Sequence, residues 1–315
     1  MNALDWVTQL MEVVAALAAA PLLVGWVNCC RAWLQNRTAP SVLQPYRGIR
    51  KLFHKDAVIA EGASPLFRIA PYVVFGAMVT AAAMIPSMGT RLPFTSAADA
   101  IALVGLFATA RVFVSLAAMD VGTAFGTLGA RREMMVGFLA EPALLIVIFV
   151  ASLISATTSL PAIAEQLATR ALGVYPSLAF TAVAFVMVLL AENARIPVDN
   201  PATHLELTMI HEAMLLEYSA RHLALMEWAA ALKLFNYTCI GFALFLPWGT
   251  STGDEPLALA AAIPVLGAKL LVAGAALAVV ETLSAKLRVF RAPEFLATAF
   301  MLAMLGLLVH VLLGA

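Results

Sequence analysis

Eight apolar stretches, each close to the length a helix needs to cross hydrocarbon, limit what this chain can fold into. They run roughly over Trp6–Val27, Leu66–Met88, Ala97–Met119, Val136–Ile154, Val174–Ala191, Leu223–Trp248, Leu257–Thr282 and Phe295–Leu313. A helical span takes about 20 residues, and a helix satisfies its own backbone polar groups where water cannot. Charged residues make up only 12% of the 315, and mean hydropathy is +0.93, which excludes an ordinary soluble domain. The sequence predicts an all-α polytopic membrane protein of about eight transmembrane helices. No long polar segment interrupts the spans, so residues 1–315 read as a single membrane domain. The first span lacks a basic region before it and reads as a retained helix, not a cleaved signal.

Basic residues orient the spans. The odd-numbered loops carry Arg31, Arg37, Arg47, Arg50, Lys51, Lys55, Arg68, Arg131, Arg132, Arg195, Arg221, Lys286, Arg288 and Arg291, whereas the even loops carry only Arg91 and Arg170. The positive-inside rule then predicts large cytoplasmic loops and both termini outside. The first of these loops, residues 31–65, mixes basic residues with Trp33, Leu34, Tyr46, Leu52 and Phe53. That pattern suits an interfacial helix lying near anionic headgroups or beneath a docked partner. Pro40 and Pro45 place its start near Tyr46. A plain topogenic loop is the simpler reading.

Net charge is zero, and no nucleic-acid partner is expected. Three cysteines (Cys29, Cys30 and Cys239) do not supply a ligand set for zinc or an iron–sulfur cluster, so no cofactor is expected in this chain. There is no P-loop, and the HEAML at His211 lacks the second histidine of a zinc-binding HExxH.

Charges inside the spans are costly, about 2.5–3.5 kcal/mol each at the centre on insertion scales, and they usually face a protein interior or an ion path. Glu12, Arg111, Glu141, Glu227, Lys233 and Lys269 fall in this class, with Glu281 at a span end. Glu227 and Lys233, six residues apart, lie on different faces of one helix, so each needs a partner elsewhere. Structural pairing and proton relay both remain open for these residues.

The segment 192–222 concentrates the rest. Glu192, Asp199, Glu206, Glu212 and Glu217 stand with His204, His211, Arg195 and Arg221 beside long apolar spans, forming an acidic loop on the predicted cytoplasmic side. Glu192 and Arg195 are spaced to pair if the preceding helix continues one turn. Pro197 and Pro201 then break the helix, which resumes from Thr203 with Asn200 or Thr203 as its cap. Glu206 and Glu217, eleven residues apart, share a face. Apolar spacers make that helix too oily to lie free in water, although a solvated polar face is the simpler reading. Confinement would push the pKa values of its carboxyl groups toward neutrality, which suits proton transfer.

At these residues a family resemblance appears. The run Glu192-Asn-Ala-Arg195-Ile-Pro197-Val-Asp199, followed by Glu206-Leu207 and Glu217-Tyr218-Ser219, resembles the pattern of respiratory complex I subunit 1. That family includes the membrane subunits of formate hydrogenlyase and hydrogenase-4. Leu43-Gln44-Pro45-Tyr46, Lys51-Leu52, Lys55-Asp56 and Ala70-Pro71 agree in order. Asp120, Gly122, Phe125-Gly126, Gly129-Ala-Arg131-Arg132-Glu133, Glu281 and Pro293-Glu294 resemble the hydrogenase-type members more closely. The resemblance implies an eight-helix subunit that anchors a hydrophilic redox arm in a prokaryotic inner membrane. Partners would be hydrogenase-like large and small subunits, an iron–sulfur subunit and antiporter-like membrane subunits, with iron–sulfur clusters and a [NiFe] centre held by those partners. It implies proton coupling by Glu192, Arg195, Asp199, Glu206, Glu217 and Tyr218, to which the span charges Glu227 and Lys233 are added. Docking is expected of Arg37, Gln44, Tyr46, Lys51 and Lys55 in the first loop, and of Arg131, Arg132 and Glu133 in the third.

The loop departs from complex I where Ala202 and His204 replace the usual further acids, and where Glu206 to Glu217 is about one turn longer. This weighs against a quinone-site subunit of a complex I-type NADH dehydrogenase, the first rival reading. A stand-alone cation/proton antiporter is the second, and a purely structural anchor the third.

Overall fold

The computed structural model describes residues 3–90, 92–96, 98–169, 176–199, 209–251, 256–285, 287 and 291–313. Eleven α-helices lie in these segments: α1 (Ala3–Leu34), α2 (Gln44–Phe53), α3 (Pro65–Met84), α4 (Ala100–Asp120), α5 (Ala124–Ser155), α6 (Leu160–Thr169), α7 (Pro176–Glu192), α8 (His211–Leu215), α9 (Ala220–Phe245), α10 (Pro256–Leu283) and α11 (Ala292–Leu313). Among the described residues, seven are long and apolar enough to span a membrane, and α7, with 17 residues, is a shorter eighth. The chain is an all-helical, multi-pass membrane protein, as its hydropathy predicts.

Two boundaries differ from the sequence reading for a clear reason. Hydropathy detects where a helix is oily, not where it begins. Thus α5 starts at Ala124, twelve residues before the expected span, and runs for 32 residues. Its first turns carry Arg131, Arg132 and Glu133, taken above as loop. Gly129 lets this polar end approach the chain beyond α7, because a Cβ there would lie 2.8 Å from the Ile210 carbonyl oxygen. The short α2 begins at Gln44, with Pro45 in its first turn, where a missing N–H leaves no bond unmade. Ile49 is buried beneath it, whereas Arg47, Arg50 and Lys51 are exposed.

Helix α9 is the hub. It packs on α3, α1 and α2, and also touches α6 and α7. Long-range hydrogen bonds lock it in place: Asn236 Nδ2 donates to the Met78 carbonyl at 2.9 Å, and Trp228 Nε1 to the Leu17 carbonyl at 3.2 Å. Around it, α4 links α3 to α5, and α11 lies against α7 and α5. Helix α10 leans mainly on α1.

The connecting segments gather at two ends. At one, Ser219 Oγ donates to the Val58 carbonyl at 2.6 Å, the Ser64 amide to Asp120 at 2.8 Å, and the Leu287 amide to the Pro197 carbonyl at 2.9 Å. At the other, isolated bridges pair Gly89 with Ser251 and Asp99 with Ser159. The odd loops, which hold most of the basic residues, therefore share one end of the bundle.

Candidate functional site

Arg111 lies midway along α4 and is almost wholly buried. A guanidinium in such a place is tolerated only with close opposite charges and hydrogen bonds. Three carboxylates supply them. Glu192 Oε1, at the end of α7, accepts a hydrogen bond from Arg111. Glu133 Oε1 and Glu141 Oε1, both on α5, stand 3.7 and 3.4 Å from its Nε. The spacing Glu133-x3-Gly137-x3-Glu141 explains the fit, since residues four apart on a helix stack on one face. A Cβ on Gly137 would overlap the guanidinium. The glycine is thus the seat on which the arginine lies, with a carboxylate one turn to either side.

Glu192 carries a second cation. Lys233 Nζ of α9 is 2.8 Å from its Oε2. Tyr237, one turn further along α9, presents its phenol to the same carboxylate and stacks on Phe107 at 4.9 Å between ring centroids. From α8, His211 Nδ1 comes within 3.6 Å of Glu133 Oε2. Arg111, Glu133, His211 and Lys233 face a cavity of about 80 Å³ whose other walls include Met78, Met214 and Met226. That is room enough for ordered water, for which these four side chains supply polar partners. Glu141 keeps 31% of its side chain accessible, so through it the cluster reaches the surface of the isolated chain.

The chain beyond α7 is tied down separately. Helix α7 ends at Glu192, and Ala194 takes a left-handed conformation with φ of 51°. Arg195 is thereby turned away from Glu192. It pairs with Glu281 of α10 at 3.1 Å, and Arg31 of α1 reaches the other oxygen of that carboxylate at 3.6 Å. The local pairing of Glu192 with Arg195 envisaged from the sequence is not made, because the helix stops too early. Buried Asp199 accepts from the His211 amide at 3.2 Å, bridging the two sides of segment 200–208.

Of the proton-coupling residues expected from the sequence, Glu192 and Lys233 meet in the central cluster. Arg195 belongs to the Glu281 pair, and Glu217 and Glu227 are exposed. Tyr218 is buried flat against Phe67, ring centroids 4.1 Å apart, and its hydroxyl donates to the Phe67 carbonyl at 3.1 Å. Burial, with the Asp120 charge adding to it, raises its pKa and keeps the phenol protonated. Glu206 and His204, with the helix expected from Thr203, lie outside the described residues.

Of the docking residues, Arg37, Gln44, Lys51, Lys55 and Arg131 are exposed. Tyr46 is not free to dock, because its hydroxyl is engaged by the Ala18 carbonyl of α1 and burial raises its pKa. Arg132 donates to the Met209 carbonyl at 3.0 Å. Glu133 is a correction: it is 3% exposed and sits against Arg111 inside the bundle. Arg111 and Glu141 were visible in the sequence as costly span charges without an assigned place. The four-residue spacing around Gly137 was the signal that could have put Glu133 and Glu141 on one face of α5, whereas nothing local tied Arg111 to them. Tyr237 gave none, since a tyrosine in an oily helix reads as core.

The family model described as NADH dehydrogenase matches residues 7–312. Formate hydrogenlyase subunit 4 of Escherichia coli (strain K12) is 32% identical over 297 residues, covering 94% of this chain and 96% of that protein. Hydrogenase-4 component C of the same organism is 34% identical over 241 residues, covering 76% of this chain and 75% of its own length. A chain in the structure of the membrane-bound sulfane sulfur reductase, an archaeal respiratory membrane complex, superposes with a TM-score of 0.83. It shares 19% identity over 96% of this chain and 98% of that one, a likeness of fold.

Proposed function

The chain belongs to the NADH dehydrogenase family, and from that membership we propose that it is the membrane-anchor and proton-coupling subunit of a hydrogenase-4/formate-hydrogenlyase-like energy-converting complex. The resemblance of the whole chain to formate hydrogenlyase subunit 4 supports this reading over a stand-alone antiporter. The complex sits in a prokaryotic inner membrane with the Glu192 end facing the cytoplasm. Its exposed basic residues on that end, Arg37, Arg47, Arg50, Lys51, Lys55 and Arg131, form the seat of the hydrophilic redox arm. Iron–sulfur clusters, and a [NiFe] centre where hydrogen is the substrate, belong to that arm.

The observation that carries the coupling role is the connected set His211, Glu133, Arg111, Glu141, Glu192 and Lys233. It begins at α8 beneath the docking end and finishes at the half-exposed Glu141 deep in α5. It holds three carboxylates against Arg111 and Lys233. In such a set the protons belong to the group as a whole, so a change at one end alters occupancy at the other. Movement of the His211 segment under the redox arm would change the field on Glu133, and Glu141 would pass the proton to an adjoining antiporter-like subunit. Electron transfer itself takes place in the partners, and this chain moves charge-compensating protons.

Glu192→Gln and Glu141→Gln, each introduced into the whole complex, test the reading. Coupled activity should fall by roughly 10²-fold, the usual contribution of one positioned proton donor or acceptor, with the redox arm still attached. Full coupled activity in Glu141→Gln, the most accessible of the three carboxylates on Arg111, would leave the chain as an anchor only.

A further inference from the structure

Glu12 is a second buried acid, and nothing in the central cluster accounts for it. It lies on α1 at the end of the bundle remote from the Glu192 loop. At 1.5 Å per residue it is about 28 Å along the helix from Arg31. Its exposure is 0%. One oxygen, Oε1, accepts from the amides of Met88 and Gly89 at 2.8 and 2.9 Å. Ser87 adds a side-chain hydrogen bond. The other oxygen, Oε2, is buried with no hydrogen-bonding partner among the described residues.

Among the described residues, which do not include Arg91, no cation pairs with this carboxyl. Segment 85–90 presents amides and a hydroxyl. Helix α9 presents Cys239 and Asn236, and Asn236 donates to the Met78 carbonyl. Lys269 of α10 lies close enough to influence Cys239, but its ammonium donates to the carbonyls of Leu246 and Trp248 at 2.7 and 2.5 Å. On α1 itself, Gln9 spends its amide N–H on the Ala83 carbonyl. Asp5, two turns before Glu12, is acidic and offers no compensation. An ionised carboxylate buried without an opposite charge costs several kcal/mol. A neutral carboxyl avoids that cost, with its hydroxyl on the oxygen that receives no donor. Three other buried atoms without a hydrogen-bond partner among the described residues belong to the same elements: Gln9 Oε1 on α1, Thr90 Oγ1 on segment 85–90 and Asn236 Oδ1 on α9.

We propose that Glu12 is a proton-binding site in the half of the membrane opposite the Glu192 loop, occupied by a proton at rest and emptied and refilled from that side during turnover. In the step, the Oε2–H bond breaks, the proton passes to water at that end of the bundle, and Glu12 is left as a carboxylate until it is reprotonated. Resting protonation rests on the geometry of the described residues of this chain. The emptying during turnover rests on the coupling role proposed above.

Infrared spectroscopy of the purified complex separates the two. At neutral pH the wild-type complex should show a protonated-carboxyl C=O band that shifts in D2O and is lost in Glu12→Gln, a change that copies the neutral acid and spares assembly. Absence of any difference between wild type and Glu12→Gln overturns the proposal, and so does a carboxylate band there that responds to added sodium. During turnover the same band should bleach, and proton translocation per electron should be lost in Glu12→Gln while electron transfer persists. A band that stays constant through turnover, or unchanged translocation, overturns the exchange. If Glu141→Gln and Glu12→Gln both leave translocation intact, the coupling role fails. A band lost in Glu12→Gln would then still establish the resting proton.

Discussion

Glu192 and Glu12 are equally deep, at 1% and 0% exposure, yet the bundle holds them by opposite means. Glu192 lies between Arg111 and Lys233, in a set that includes two further acids, and four charged or polar side chains of that set face a largely apolar cavity. Glu12 meets backbone amides and a serine, with one oxygen unpartnered. In the first region charge is balanced by charge across four helices. In the second it is relieved by neutrality on one helix and one turn. A charge-balanced site resists loss of any member, because each deletion strands an ion. A neutral site tolerates an isostere, because no ion is stranded. The depth of an acid therefore says little about its chemistry until its partners are counted.

Arg111→Met should have the largest effect on that contrast. It leaves Glu133, Glu141 and Glu192 facing one another with only Lys233 and His211 nearby. Breaking a buried ion pair by removing one partner costs about 3–5 kcal/mol. The variant should melt far below the wild-type complex in detergent or fail to assemble. An unchanged melting profile would break the comparison, since the central carboxylates would then be as neutral as Glu12.

Gly137→Ala should come next. The added methyl lands on the guanidinium, so either Arg111 or α5 must shift. Overpacking of this kind costs about 1–3 kcal/mol, and the loss should appear both in thermal stability and in coupled activity. The same substitution at Gly76 of α3, where a Cβ meets nothing within 4 Å, serves as the control and should be nearly silent.

The sequence carried the spans because apolarity over about 20 residues has few other uses in a chain of this kind. It carried Arg111, Glu141 and Lys233 as residues in need of partners for the same reason. It did not carry the partners, since the pairings of Arg111 with Glu192 and of Arg195 with Glu281 run between residues 81 and 86 positions apart. Local spacing favoured Glu192 with Arg195, and the early end of α7 overrode it. Glu133 was misplaced because a charged residue next to Arg131 and Arg132 looks like loop. The continuation of α5 carried it inward, and Gly137 gave Arg111 room beside it. Tyr237 was hidden by its apolar surroundings, and Glu206, central to the family motif, lies outside the described residues.

Glu12→Gln should have the smallest effect on stability and the most to say about the comparison. A neutral Glu12 makes neutral hydrogen bonds through Oε1, and the glutamine amide oxygen can accept the same two from Met88 and Gly89. The amide nitrogen then stands where the carboxyl hydroxyl was, so one donor replaces another. The change should cost less than about 1 kcal/mol, within the range of a single neutral hydrogen bond. Were Glu12 ionised, the substitution would weaken two charge-assisted bonds, each worth about 1.5–3 kcal/mol. It would also remove a buried charge, and stability would move by several times as much in one direction or the other. Chemical denaturation of wild-type and Glu12→Gln complexes distinguishes the cases, with Glu192→Gln measured alongside. A large change at Glu192 and a small one at Glu12 keep the two regions distinct. Equal changes would mean that both ends of the bundle bury the same kind of acid.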